Sequence, residues 1–288
     1  MFTIAKILLP IDFSARSTDA ADAAAAIAEH FGSEIAVLHV LAPRLDLPLP
    51  TSAQMNVIHG GARAEVEEKM KEFRSNQWGH LAVKRVLREG DPATTIVEYA
   101  AEERVDLIMM PTHGYGPFRR LLLGSITAKV LHDANCLVWT AAHTPDASSD
   151  VSATPRRIAC AVDLGPQSSS VLGWASRLCW EFGASLSVIH VVASLDPRVE
   201  EYYFSPESRG YVINEARADL TRLLETAGAE GEIHIEAGPI ADAVAGAAKQ
   251  AQADLLVIGR NSHDSIAGRL PTNAYAIIRE SPCPVLSV

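Results

Sequence analysis

The chain has 288 residues, of which 48% are hydrophobic and 21% are charged, and its formal net charge at pH 7 is −10. This composition is typical of a folded globular protein with room for two ordinary domains, and it excludes a largely disordered chain. Because acidic residues outnumber basic ones in both halves, a field that would attract nucleic acid is excluded as well.

The apolar segments are too short for a membrane protein. None reaches the roughly 18 uninterrupted residues that a membrane-spanning helix needs. The apolar run at the N-terminus is cut off by Asp12 and lacks a cleavage site, so it makes a poor signal peptide. The four cysteines show no spacing typical of metal ligands. We therefore expect a cytoplasmic protein without a membrane partner or a metal site.

Short apolar runs alternate with helical patterns through the first half of the chain. This alternation is typical of a parallel sheet with helices on both faces. The expected strands are Ile4–Ile11, Glu34–Val40, Leu81–Leu87, Val105–Met110 and Cys136–Thr140. The expected helices are Ala15–Phe31, a segment with Val66, Met70 and Phe73 on its apolar face, Ala93–Glu103 and Ser125–Asp133.

The same pattern then occurs a second time. Ile158–Val162, ending at Asp163, repeats the first strand and its closing Asp12, and Ala253–Ile258 repeats Val105–Met110. Between the copies, the segment of residues 144–155 is rich in small polar residues and proline, as linkers are. The sequence therefore predicts two domains, residues 1–143 and 156–288, joined by a linker of residues 144–155.

The segment from Met110 to Thr127 stands where the fourth strand ends and a helix begins. Unpaired backbone N–H groups and the positive end of the helix dipole attract phosphate at such a place. Gly114 and Gly124 would let the backbone approach an anion closely, and Ser125 or Thr127 is expected to cap the helix. The alternative is an ordinary connection whose glycines serve only the turn.

These features resemble those of a tandem universal stress protein of the UspA type, once in each half. The family's nucleotide-binding members carry Gly-x-x-Gly, nine residues and Gly-Ser/Thr after strand four, with an Asp at the end of strand one. The first half matches this pattern at Asp12, Gly114 and Gly124-Ser125, whereas Pro111 replaces the first glycine. The resemblance implies two Rossmann-like (HUP/adenine nucleotide alpha hydrolase-like) α/β domains, each a five-stranded parallel sheet with helices on both faces.

The resemblance further implies that the first half binds ATP, with Mg²⁺ as an optional companion. The implied nucleotide-binding residues are Pro10, Ile11, Asp12, Val40, Met110, Pro111, His113, Gly114, Gly124, Ser125, Ile126 and Thr127. In the second half, Ser262 replaces the second glycine, the loop is one residue shorter, and Pro271-Thr272 stands in place of Gly-Ser. We therefore expect the second half to bind ATP weakly or not at all.

The expected function is that of an ATP-binding regulatory protein of the stress response, acting on an unidentified protein partner. The sequence contains no P-loop, no complete Gly-x-Gly-x-x-Gly and no Gly-x-Ser-x-Gly motif, so we predict no catalytic residues and at most a slow ATPase. Two alternatives remain open: a slow ATP hydrolase, and a scaffold or binding module that holds no nucleotide.

The last strand of each half should lie at the edge of its sheet, where unpaired backbone groups favour association. We expect Cys136–Ala141 and Cys283–Val288 to meet across a pseudo-twofold axis, so that one chain imitates a dimer. Further assembly through the same face would give a homodimer of the tandem chain.

Overall fold

The computed structural model describes residues 2–42, 63–112, 123–142, 154–192, 206–260 and 272–288. Within these ranges the chain forms ten strands and eight helices. The strands are β1 (Lys6–Pro10), β2 (Glu34–Leu41), β3 (Val83–Glu89), β4 (Leu107–Met110), β5 (Leu137–Thr140), β6 (Arg157–Ala161), β7 (Ser185–Val192), β8 (Glu232–Ala237), β9 (Leu255–Ile258) and β10 (Val285–Ser287). The helices are α1 (Ala15–Phe31), α2 (helical residues 63–72), α3 (Pro92–Glu102), α4 (Ser125–Asp133), α5 (Ser168–Phe182), α6 (Pro206–Ala227), α7 (Ile240–Gln250) and α8 (Thr272–Glu280).

All ten strands belong to one sheet, in the order β3-β2-β1-β4-β5-β10-β9-β6-β7-β8. Within each half the neighbouring strands are parallel, and the order of the second half is the mirror of the first. The expected fold of two tandem Rossmann-like domains, each with a five-stranded parallel sheet, is therefore confirmed. The predicted linker at residues 144–155 lies largely outside the described residues, and the exact domain bounds stay a prediction.

Helices cover both faces of the sheet, and the alternation of side chains along the strands divides the core in two. Ile7 and Leu9 of β1 point to the side of α1 and α5, whereas Leu8 points to the side of α3, α4, α7 and α8. All four residues of β4 are buried, as expected for a strand covered on both faces. The residues of β4 must therefore be apolar on both faces of the sheet.

Local signals explain where α1 begins and ends. The side chain of Ser14 accepts a hydrogen bond from the backbone N–H of Ser17, which caps the first turn. At the other end Gly32 adopts a left-handed conformation with φ of 69°, which glycine enters without a steric penalty. The helix therefore spans the predicted residues Ala15–Phe31.

Other bounds differ from the predicted ones by one or two residues. Strand β3 is Val83–Glu89 rather than Leu81–Leu87, because its register follows the pairing of Ile35 with Val83 in β2. Strand β1 begins at Lys6, and α3 begins one residue early, at Pro92, where its missing N–H costs no helical hydrogen bond.

The two halves join through their last strands. Strand β10 pairs antiparallel with β5, with Leu286 opposite Trp139, so the predicted meeting of the two final strands is found. On one face of the sheet, Phe31 at the end of α1 contacts Phe182 at the end of α5, with ring centroids 5.8 Å apart. Neither β5 nor β10 is left as a free edge.

Candidate functional site

The first half has a cavity where its strand order reverses. Chain connections run in opposite directions from β1 and β4, and the carboxyl ends of these two strands open a crevice between them, which is the usual ligand position in open α/β sheets. The cavity has a volume of about 130 Å³. The residues that line it are Pro10, Ile11, Asp12, Ser17, Leu38, His39, Val40, Pro92, Ile96, Met110, Pro111, Ile126 and Thr127.

Asp12 forms the polar end of this cavity. One of its carboxylate oxygens, Oδ1, accepts hydrogen bonds from the backbone N–H of Ser14 at 3.0 Å and from the hydroxyl of Ser17 at 2.6 Å. Burial alone would raise the pKa of Asp12, but hydrogen bonding from the side chains of Ser14 and Ser17 and from backbone N–H groups outweighs it and holds the pKa below its ordinary value. The site therefore keeps a fixed negative charge at neutral pH.

The apolar wall beside Asp12 is also held in place by hydrogen bonds. The ring nitrogen Nδ1 of His39 lies 2.8 Å from the carbonyl oxygen of Ile11. Since a carbonyl only accepts, Nδ1 carries the proton and donates. The backbone N–H of Ile11 is itself bonded to the carbonyl of Leu38. The backbone of Ile11 thus shapes the cavity, while its N–H is already occupied.

The N-terminus of α4 forms the opposite side of the cavity. The backbone N–H of Gly124 donates to the carbonyl of Thr112 at 2.9 Å, so it serves the fold. Helix geometry leaves the N–H groups of Ser125, Ile126 and Thr127 without an acceptor inside the helix. These three N–H groups, at the positive end of the helix dipole, are the donors that an anion can use.

The expected cap of α4 by Ser125 or Thr127 is wrong. The N-cap position belongs to Gly124, which makes no side-chain cap bond. Ser125 is already inside the helix and exposed. Thr127 is buried, and its hydroxyl donates to the carbonyl of Pro111 at 3.0 Å. A side chain that the sequence places near a helix start can therefore bond to the preceding strand instead.

The structure brings most of the expected site residues together. Eight of them line the cavity: Pro10, Ile11, Asp12, Val40, Met110, Pro111, Ile126 and Thr127. Gly124 and Ser125 stand directly before that turn. His113 and Gly114 lie outside the described residues.

Sequence reasoning missed several lining residues, and Ser17 is the most informative of them. Its hydroxyl accepts from the backbone N–H of Asp12 at 3.1 Å and donates to the carboxylate of the same residue. The internal repeat carried a signal for it, because Ser168 stands at the same distance after Asp163 and donates to that carboxylate at 3.0 Å. Pro92 and Ile96 come from α3, and no motif pointed to them.

The second half has a corresponding cavity of about 190 Å³ at the ends of β6, β7 and β9. Asp163 again accepts from a backbone N–H and a serine hydroxyl, and His190 again contacts the carbonyl of Val162 at 2.9 Å. The helix side differs, since Asn273 and Ala274 line it where the first half has Ile126 and Thr127. The two halves therefore share one polar end and differ at the other.

The described parts of the chain offer little for a metal ion. No group of three or more His, Cys, Asp or Glu side chains within them could hold one. Among the described residues that line the first cavity, Asp12 alone carries a carboxylate.

In the described parts of the chain, no helix is long and apolar enough to cross a membrane.

Comparison with known proteins agrees with the fold and the repeat. The model of the Universal stress protein family matches residues 3–141 and again residues 154–288. The chain therefore belongs to the universal stress protein family and carries two tandem copies of its domain.

Two curated relatives each match about half of this chain, and a solved structure is similar over nearly all of it. The universal stress protein MJ0531 of Methanocaldococcus jannaschii is 33% identical over 135 residues, which are 46% of this chain and 79% of that protein. A universal stress protein of Thermus aquaticus is 33% identical over 135 residues, 46% of this chain and 94% of its own. A solved universal stress protein from Archaeoglobus fulgidus is similar over 99% of this chain and 96% of its own, with a TM-score of 0.67 and 22% identity, which supports the fold.

Proposed function

We propose that the first half binds ATP and that its occupancy regulates contact with a protein partner. The observation that carries the proposal is the pairing, in one cavity, of a buried apolar slot with the first N–H groups of α4, which have no acceptor inside the helix. Val40 and Met110 belong to the slot, and Ile126 and Thr127 present the N–H groups. This arrangement matches the two parts of a nucleotide, a flat apolar base and a polyanion.

The size of the cavity supports a specific placement of the base, the sugar and the phosphates. About 130 Å³ is well below the roughly 300–1,000 Å³ of sites that enclose a whole drug-sized molecule. The slot therefore takes the base, Asp12 accepts hydrogen bonds from the ribose hydroxyls, and the phosphates lie along the first turn of α4. Oδ1 of Asp12 is already engaged twice, which leaves Oδ2 for the sugar.

The described residues of the site offer a divalent cation one carboxylate, so the remaining ligands must come from the nucleotide and from water. Mg²⁺ is commonly held by one or two carboxylates together with phosphate oxygens, and Asp12 supplies one such carboxylate. We propose that Mg²⁺ arrives with the nucleotide and offsets the charge of its phosphates. Since the described lining residues include no lysine or arginine that would stabilise a transferring phosphoryl group, the protein is expected to retain ATP rather than turn it over rapidly.

The proposal is tested by two measurements. First, freshly purified protein is denatured and any released nucleotide is identified by chromatography, in moles per mole of chain. About one ATP per chain is expected; ADP would favour a slow hydrolase, and no nucleotide together with no thermal shift on adding Mg-ATP would favour a scaffold.

Second, ATP is titrated into the variants Asp12→Ala and Asp163→Ala. These are matched, because each carboxylate holds the same kind of turn in its own half. Asp12→Ala should weaken binding strongly, whereas Asp163→Ala should leave it near the wild-type value. Equal losses in both variants would contradict a site confined to the first half.

A further inference from the structure

Helix α4 lines the cavity of the first half and also contacts the second half. Its first turn carries Ile126 and Thr127 into the cavity of the first half. Its remaining turns contact residues of the second half, which lie more than a hundred positions away in the sequence. The helix has only nine residues, and helices this short have little stability of their own. Its position therefore depends on what holds it from outside.

Arg260 of the second half holds the C-terminal end of α4. Its guanidinium is buried, with 7% of the residue exposed, and Nη1 donates to the carbonyl oxygens of Ala134 at 2.9 Å and Leu131 at 3.5 Å. Nη2 donates to the carbonyl of Cys136. The carbonyls of Leu131 and Ala134 lie at the C-terminal end of the helix, where carbonyls lack helical partners and form the negative end of the dipole, and that of Cys136 lies two residues past the cap. Among the described residues, backbone carbonyls rather than a carboxylate stabilise this buried cation.

Tyr275 of the second half contacts the N-terminal half of α4. Its hydroxyl donates to the carbonyl oxygen of Ala128 at 3.1 Å, one position after Thr127. Tyr275 belongs to α8, whose residues Asn273 and Ala274 line the second cavity. Arg260 likewise follows Gly259, which lines the same cavity. Both contacts with α4 thus begin at the edge of the second cavity.

A purely structural role, joining the two halves, does not account for this placement. The halves are already joined by the pairing of β5 with β10 and by the aromatic contact of Phe31 with Phe182. Arg260 additionally buries a charge, which is costly unless every carbonyl it faces is in position. A less polar residue could join two surfaces at a lower cost. The hydrogen bonds of Arg260 and Tyr275 to α4 instead fix the position of this helix along its own axis.

We propose that Arg260 and Tyr275 are positioning residues for the nucleotide site of the first half, acting through α4. The inference rests on the proposed ATP binding and adds a role for the second half, which holds in place the helix that supplies N–H groups to the first-half site. The free N–H groups of Ser125, Ile126 and Thr127 meet the phosphates only while α4 is held from the second half.

The first test compares Arg260→Met with Arg260→Lys and with Arg85→Met. Lysine keeps a cation that can donate to the helix carbonyls, whereas methionine keeps only the apolar length. Arg85 is the matched control within the first half, because Nη2 donates at 2.9 Å to the carbonyl of Phe73, just after α2. Its Nε, like that of Arg260, is buried without a partner among the described residues.

Two readouts are taken on each full-length variant: the Kd of ATP by calorimetry, and hydrogen exchange of the α4 peptide without nucleotide. Arg260→Met should weaken ATP binding about tenfold, because the competent position of α4 would be populated only part of the time. It should also speed exchange in α4. Arg260→Lys should restore most of the affinity, and Arg85→Met should change neither readout.

The outcomes separate this proposal from the proposed function. If wild-type protein binds no ATP, the proposed function fails, while faster exchange of α4 in Arg260→Met alone would still support positioning of the helix. If wild-type protein binds ATP and Arg260→Met changes only its overall stability, the positioning role is overturned. Should Arg260→Met not fold, Tyr275→Phe decides, since it removes one hydroxyl: unchanged affinity and unchanged exchange in α4 would overturn the proposal.

Discussion

The hydroxyl of Thr127 donates a hydrogen bond of 3.0 Å to the carbonyl oxygen of Pro111, which ties the first turn of α4 to the end of β4. Pro111 lacks the N–H of the family's glycine, yet its carbonyl takes part in shaping the site. Together with the hydrogen bond from the Gly124 N–H to the Thr112 carbonyl, this bond holds the start of α4 against the residues that follow β4. Substitution at Thr127 should therefore affect the fold and the site together.

Thr127→Val should lower the free energy of unfolding by about 1–2 kcal/mol, because it leaves the Pro111 carbonyl without its donor in a buried place. ATP affinity should fall as well. Chemical denaturation and calorimetry measure the two effects. Thr127→Ser keeps the hydroxyl but loses the methyl group, and it serves as the control; valine proving no more damaging than serine would contradict a role for the hydrogen bond.

Val40→Trp should abolish measurable ATP binding, because the indole would fill the base slot at the end of β2. Val191 lines the second cavity at the corresponding position, so Val191→Trp is the matched control and should leave about one ATP bound per chain. Circular dichroism and thermal melts establish that both variants fold. Binding retained by Val40→Trp and lost by Val191→Trp would place the nucleotide in the second half.

Asp91 should make stability depend on pH in acid. Its Oδ1 accepts from the hydroxyl and N–H of Thr94 and from the ammonium group of Lys129, and these bonds lower its pKa from 3.8 to about 2. Because the folded-state pKa is the lower one, the stabilisation is present above pH 3.8 and is lost as the pH falls towards about 2.

The variant Asp91→Asn tests this dependence, since asparagine can still cap α3 but does not titrate. The stability advantage of the wild-type protein over this variant, measured by urea denaturation, should be constant near neutral pH and shrink below pH 3.8. Because Asp91 is exposed, added salt should reduce the contribution of Lys129. An advantage that grows on acidification would contradict the assignment.

The four cysteines should react slowly with thiol reagents in the native protein. Burial raises the pKa of Cys136, of Cys160 and, to about 12, of Cys179 and Cys283. Thiolate, the reactive form, is therefore scarce at pH 8. Labelling followed by mass spectrometry should show slow modification, and full modification of all four after denaturation. Rapid native labelling at any one of them would show that its surroundings open.

The fold could be predicted from the sequence because each buried strand is a continuous apolar run, as in β4, and because the repeat shows the same signals twice. The extent of β3 could not, since its bounds are set by pairing with β2 rather than by its own residues. Local patterns fix which elements form. Their register depends on partners that are distant in the chain.

The candidate site likewise contains residues that the sequence could predict and residues that it could not. Asp12 and the start of α4 could be predicted, because a strand end and a helix start have local signatures. Arg260 could not be assigned its role: it stands in the second half, and the carbonyls it bonds belong to α4 and the residues just after it. Nothing in its own neighbourhood indicates them. The commitment of the Gly124 N–H to Thr112 likewise appears only once the strand and the helix lie side by side.

The pairing of β5 with β10 has a consequence for how the molecule behaves at low abundance. Both strands belong to one polypeptide, so dilution does not part them, and the local concentration of one half around the other is set by the connecting chain. The two subunits of a homodimer come from one gene and have identical residues, whereas the two halves of one polypeptide can diverge in sequence. Each molecule therefore carries two cavities with different helix starts, Ile126 and Thr127 in one and Asn273 and Ala274 in the other, in a fixed ratio of one to one.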